Sequence, residues 1–169
     1  MVASALDVSD ELAASLLASG ARRAQAPLSA PAAPIAARAD RREQTELEFL
    51  GLCIDLPDRG RAALAEADPE DFTAERTRRA MLWLRDHLDA PLEGLPRQDD
   101  ELSTLIGQLV MRAARRTPSV AALEAEQLRL QIGRLDRRIA AGDGPISDLA
   151  AQRSELKKRL DLAVDRAMA

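Results

Sequence analysis

The chain has 169 residues and a formal net charge of −4, and 46% of its residues are hydrophobic. This length suits one ordinary domain, or a small domain with an appendage. The negative charge argues against a general nucleic-acid-binding protein, which normally carries a basic surface, so we expect no strong direct binding to nucleic acid. With two phenylalanines and one tryptophan, a core of alanine and leucine favours closely packed helices over a sheet.

The single cysteine excludes an internal disulfide and fits a reducing compartment. The N-terminus lacks the basic, apolar and cleavage-site order of a signal peptide. No apolar run approaches the roughly 20 residues that a membrane span requires. We therefore expect a cytoplasmic protein that does not contact the membrane.

The first segment, residues 1–40, is predicted to hold a short helix and a linker. Residues 9–19 read as a helix with Ser9 as its N-cap and Gly20 at its end. Residues 20–40 are rich in alanine and proline, a composition typical of a flexible, partly extended linker.

Residues 41–117 are predicted to form a globular helical subdomain. Asp40 should cap its first helix, which runs to Pro57, and a short helix follows over about 58–65. A single turn near 68–72 precedes a helix that Thr73 should cap and that ends near Leu88. After a loop over 89–98, a further helix opens at Asp99 and runs toward Thr117-Pro118. No segment alternates with period 2 over strand length, so we predict no sheet.

Residues 118–169 are predicted to form a long antiparallel helical hairpin. Steps of three and four residues give each helix one apolar stripe, as expected for paired helices. The first stripe comprises Leu128, Ile132, Leu135 and Ile139, and the second comprises Ile146, Leu149, Arg153, Leu156, Leu160, Ala163 and Ala167. The residues 142–145, Gly-Asp-Gly-Pro, break both patterns and should form the turn. Arg153 interrupts the second stripe, where it should either bury its stem along the seam or set the register of the pair.

The fold class predicted from these patterns is all-α: a short N-terminal helix, an Ala/Pro-rich linker, a small multi-helix subdomain and the hairpin. The charged residues of the hairpin alternate in sign, which is typical of a solvated, salt-bridged helix surface.

Residues that could support catalysis are few. His87 is the only histidine and Cys53 the only cysteine, too few for a Cys/His metal site or a Cys-His nucleophile pair. We expect Cys53 to be a buried structural thiol and His87 to assist the carbonyls at a helix end. The acidic groups 68–71 and 99–101 each fall where a helix begins, which favours capping over Mg²⁺ binding. We predict no catalytic, metal-binding or cofactor-binding residue and no enzymatic activity.

The stretch 41–88 resembles the C-terminal region of bacterial DNA primases. A charged helix enters an apolar FLGLCI run at 49–54, and an L-x-x-x-D-P-E-D-F pattern follows from Leu64 to Phe72. A helix with an R-x-x-x-x-W/L pattern comes next. A similar module stands at the N-terminus of the replicative helicase that primase contacts. The terminal stretch LEAEQLRLQIGRLDRRIAAGDGPISDLAAQRSELKKRLDLA, residues 123–163, is similar to the helical hairpin of primases, whereas the helicase would continue into an ATPase domain with a phosphate loop.

This resemblance implies a docking module for the N-terminal domain of the replicative helicase, without the zinc-binding and polymerase domains of the enzyme. Residues 2–17 look like the last helix after the primase polymerase core, whether the chain is a fragment, a truncated product or a standalone relative. From periodicity alone, the candidate partner contacts are in the last helix: Leu156, Lys157, Leu160, Leu162, Val164 and Arg166. Leu156 and Leu160 could be used by the hairpin seam, which would leave Leu162 for a partner. The alternative is a structural hairpin through which the chain associates, weakly, with itself.

Overall fold

The computed structural model describes residues 35–115 and 117–168. It contains six α-helices and one 3₁₀ turn, and no strand occurs within these two ranges, which confirms the all-α fold. The helices are α1 (Ile35–Asp55), α2 (Pro57–Glu66), α3 (Glu75–His87), α4 (Asp100–Ala113), α5 (Val120–Ala141) and α6 (Ile146–Met168), and the 3₁₀ turn is Pro69–Asp71. We call α1–α4 with the 3₁₀ turn the body, and α5 with α6 the hairpin. None of the described helices is both long and apolar enough to cross a bilayer.

Helix α1 begins at Ile35, so the prediction that Asp40 caps it is wrong. The residues 36–38 are Ala-Ala-Arg, all good helix formers, and they extend the helix into the predicted linker. The rest of the predicted N-terminal segment, the short helix 9–19 and the linker up to residue 34, lies outside the described residues.

The body core is built around two phenylalanines. Phe49 of α1 and Phe72, just after the 3₁₀ turn, are buried with their ring centroids 6.1 Å apart. Cys53 is fully buried beside them in the same cluster, as expected. Its burial raises the pKa of the thiol far above the ordinary value, which keeps the thiol protonated and inert.

Helices α1 and α2 approach closely at Gly60. A Cβ atom at this position would overlap the backbone carbonyl of Cys53, so only glycine allows the contact. The Gly60 amide donates to the carbonyl of Leu56 at 2.6 Å, and Pro57 occupies the first turn of α2, where its missing N–H costs nothing.

The start of α3 is held by a buried carboxylate from α1. Glu46, 1% exposed, accepts hydrogen bonds from the amide and the hydroxyl of Thr73, both at 2.6 Å, and from the hydroxyl of Thr77. The prediction that Thr73 caps α3 is wrong, because the N-cap is Ala74, which makes no side-chain cap. The amide of Ala74 instead donates to Glu46 at 3.3 Å. A side chain 27 residues away thus replaces the local cap.

At the other end of α3, Trp83 lies half-buried on a second face, as its position off the apolar stripe predicts. Its indole N–H donates to the carbonyl of Pro91 at 2.9 Å. The His87 ring stacks on the indole with centroids 3.6 Å apart, and its Nδ1 lies 3.1 Å from the Trp83 carbonyl. His87 therefore contacts a backbone carbonyl in the last turn, as expected.

Helix α5 is buried on two sides. Leu123 and Leu130 belong to the body core, whereas Ala125 and Leu128 belong to a second cluster shared with α6. Because α5 contributes to both cores, the packing does not separate a subdomain from the hairpin at residue 117. That domain boundary stays a prediction.

The hairpin turn has the predicted geometry. Gly142 ends α5 in the left-handed conformation with φ of 74°, and the amide of Asp143 returns to the carbonyl of Arg138 at 2.9 Å. This is the usual glycine-terminated helix end. Among the described helices, α6 packs on α5 alone.

Candidate partner-binding surface

The six candidate residues of the last helix divide between the seam and the solvent. Leu156, Leu160 and Val164 are half-buried and pack against the cluster of Ala125, Leu128 and Ala163. Lys157, Leu162 and Arg166 are exposed. Leu162 is 62% exposed and is the large apolar residue exposed in the middle of α6, since Ile146 and Met168 lie at its two ends.

The apolar seam of α6 is shorter than its stripe predicts. Leu149 and Ala163 are buried, but Ile146 and Ala167 are exposed, so the prediction is wrong for these two residues. The reason is their position: one lies in the first turn and the other in the last turn of α6, where α5 no longer covers the stripe.

Arg153 forms an ion pair with Asp136 across the hairpin. Its side chain is 34% exposed, so the pair lies at the margin of the seam. A second cross-hairpin pair joins Arg166 to Glu124 at 2.9 Å. The two pairs connect α6 to α5 on either side of the seam cluster, and both roles given for Arg153, a buried stem or the setting of register, stay predictions.

A cluster of acidic residues joins the body to α5. Arg134 of α5 lies 2.7 Å from the Asp68 carboxylate and 3.2 Å from that of Glu70. The guanidinium of Arg137 donates to the backbone carbonyl of Glu70. The capping role predicted for this cluster is confirmed, since Asp68 accepts from the amide of Glu70 at 2.9 Å and Asp71 accepts from the amide of Asp68 at 3.0 Å.

The pKa values of Asp68 and Asp71 in this cluster are shifted in opposite directions. The hydrogen bond from the Glu70 amide, assisted by the charge of Arg134, holds the pKa of Asp68 below its ordinary value. Burial raises the pKa of Asp71, which is only 5% exposed. Sequence reasoning found the caps but missed their arginine partners, because those arginines are more than 60 residues away along the chain.

A cleft of about 520 Å³ lies beside this cluster, between the body and α6, with α5 beneath it. Its lining residues are Glu66, Asp68, Asp71, Gln131, Arg134, Leu135, Arg138, Gln152, Glu155 and Leu156. Leu135 and Leu156 are the apolar residues among them, and the walls are charged.

Within residues 35–115 and 117–168, no three histidine, cysteine or acidic side chains are placed to hold a metal ion. The surface features that bear on partner binding are the outer face of α6 and the cleft.

A comparison of the chain with models of protein families, with curated proteins and with solved structures finds no match in any of the three.

Proposed function

We propose that this chain is the helicase-interaction module of a bacterial DNA primase. In this role it docks primase onto the N-terminal domain of the replicative helicase during primer synthesis and performs no chemistry itself. The proposal places the protein in the cytoplasm, within the primosome. It rests on the resemblance of residues 41–169 to the primase C-terminal region and on the following features of the hairpin.

The observation that supports docking most directly is the position of α6. This helix packs on α5 alone among the described helices, and its outer face carries the exposed Leu162. Four exposed charged residues lie three or four positions from it along the helix: Lys158, Arg159, Asp165 and Arg166. An apolar residue ringed by charged residues is a common arrangement at the centre of a protein interface. A helix face of this kind fits a groove between the helices of a partner.

The ion pairs across the hairpin also suit docking. Arg153 with Asp136 and Arg166 with Glu124 connect α6 to α5 on either side of the seam cluster and favour its packed position. A binding face that is already ordered loses less conformational entropy on association.

The experiment is isothermal titration of the chain against the N-terminal domain of the replicative helicase from the same organism. Leu162→Asp should weaken binding about tenfold or more, as expected for a central apolar contact. Leu92→Asp is the matched control: Leu92 is 53% exposed in the loop after α3, and its replacement should change the Kd less than about twofold.

Light scattering of the chain alone distinguishes the alternative. Absence of binding at tens of micromolar, together with a dimeric chain that Leu162→Asp makes monomeric, would reject helicase docking and support self-association through the hairpin.

A further inference from the structure

The cleft between the body and α6 has an apolar base and an acidic rim. Leu135 of α5 and Leu156 of α6 provide the apolar surface. Glu66, at the end of α2, and Glu155, on α6, face the space from opposite walls. A ligand that fits would therefore present an apolar group with positive charge at its sides.

The basic residues that line the cleft do not neutralise its negative charge. Four acidic and two basic side chains line it. Arg134 is already paired with Asp68 and Glu70, and Arg138, the other basic residue, is outnumbered by the remaining lining carboxylates of Glu66, Asp71 and Glu155. Glu155 makes only a long 3.6 Å contact with the exposed Lys158. Glu66 accepts one hydrogen bond, from the neutral side chain of Gln127. The rim carboxylates therefore keep most of their capacity to bind a cation.

A buried carboxylate at the wall points to the same kind of ligand. Asp71 is 5% exposed, and its Oδ1 accepts no hydrogen bond, with a guanidinium nitrogen of Arg134 3.8 Å away. Buried carboxylate oxygens normally have hydrogen-bond partners. A cationic side chain in the cleft would supply positive charge close to this oxygen.

The dimensions of the cleft suit a short peptide segment. Its lining on α5 runs from Gln131 to Arg138, which is about two helical turns, or roughly 10 Å. Such a length accommodates two turns of a partner helix or a few extended residues.

We infer that this cleft receives a short segment of the partner protein in which an apolar side chain is flanked by lysine or arginine. The inference rests on the proposed function, because the partner is the helicase domain that docks on the hairpin. The cleft would be a second contact site besides the outer face of α6, so that the partner would bind α6 on two sides. The apolar side chain lies against Leu135 and Leu156, and the basic side chains reach Glu66 and Glu155.

The test is the same titration with charge reversed at the rim. The double variant Glu66→Lys/Glu155→Lys should weaken binding about tenfold or more. Both residues are exposed, so the fold should persist, and circular dichroism checks this. Gln152→Trp, which fills the cleft without changing its charge, should weaken binding as well.

The matched control is Asp86→Lys/Glu93→Lys, which changes the net charge equally. Both residues are exposed, one on α3 and one in the loop after it, and α3 contacts neither α5 nor α6. This variant should bind within about twofold of the unmodified chain.

If both double variants weaken binding equally, the change in affinity comes from net charge alone, and the inference is overturned. Unchanged binding by the rim variant would overturn it too, while leaving helicase docking in place on the outer face of α6. A chain that does not bind the helicase domain before any substitution would reject both proposals.

Discussion

In the body, four helices and the 3₁₀ turn surround Phe49 and Phe72, whereas in the hairpin α6 is held by α5 alone. The body core contains aromatic and long aliphatic side chains that are almost completely buried. The hairpin cluster consists of Ala125, Leu128 and Ala163 with three half-buried residues around them. Burial of this smaller apolar area stabilises α6 less than the body helices are stabilised.

Under the proposed function, this difference assigns stability to the body and partner binding to the hairpin. The larger body core should contribute more to the free energy of folding than the seam cluster does. Among the described helices α6 packs on α5 alone, and most of its side chains are exposed. The three substitutions below test this division, from the largest expected effect to the smallest.

The largest effect is expected in the body, at Glu46. Glu46→Ala removes the acceptor for the Thr73 amide and hydroxyl, the Ala74 amide and the Thr77 hydroxyl. Losing a buried carboxylate that accepts these four hydrogen bonds should lower the free energy of unfolding by about 3 kcal/mol, measured by urea denaturation. Glu43→Ala, which removes only a surface ion pair with Arg76, should cost less than about 1 kcal/mol. Equal losses in the two variants would show that the buried network does not hold α3.

A smaller loss of stability, confined to the hairpin, is expected on substitution of Leu149. Leu149 is 2% exposed on α6, and Leu149→Ala should cost about 2 kcal/mol. Since α6 depends on α5 alone, the loss should appear as faster hydrogen exchange of the α6 amides, with the α1 amides unchanged. Leu162→Ala, at an exposed position of the same helix, should leave exchange unaltered. Faster exchange in α1 as well would mean that body and hairpin unfold as one unit.

The features that the sequence could predict are those that depend on neighbouring residues in the chain. Local signals were sufficient for the described helices apart from the start of α1, for the caps at Asp68 and Asp99, and for the Gly142 turn. The cap proposed at Thr73 failed because a carboxylate from another helix takes its place, which no local pattern encodes.

The candidate site was predictable only in part. Periodicity separated Leu162 from the seam residues Leu156 and Leu160, because one helix face is defined by spacing alone. Val164, another candidate partner contact, packs against the seam cluster. The cleft could not be predicted, since it depends on how α2, α5 and α6 are placed in space. For the same reason, the second buried side of α5, with Leu123 and Leu130, was not recognised.

The smallest effect is expected at Gly133, in the middle of α5, and it should be stabilising. A Cβ atom there would meet only Arg137 Nη1 at 3.8 Å, an ordinary contact. Gly133→Ala should therefore raise the free energy of unfolding by about 0.5–1 kcal/mol in urea denaturation, because alanine loses less backbone entropy in a helix. The same substitution at Gly60, where a Cβ overlaps the Cys53 carbonyl, should instead cost about 1–3 kcal/mol. Because α6 is expected to open while α5 stays folded in the body core, Gly133→Ala should leave hydrogen exchange in α6 unchanged. Slower exchange in α6 would show that α5 and α6 open together.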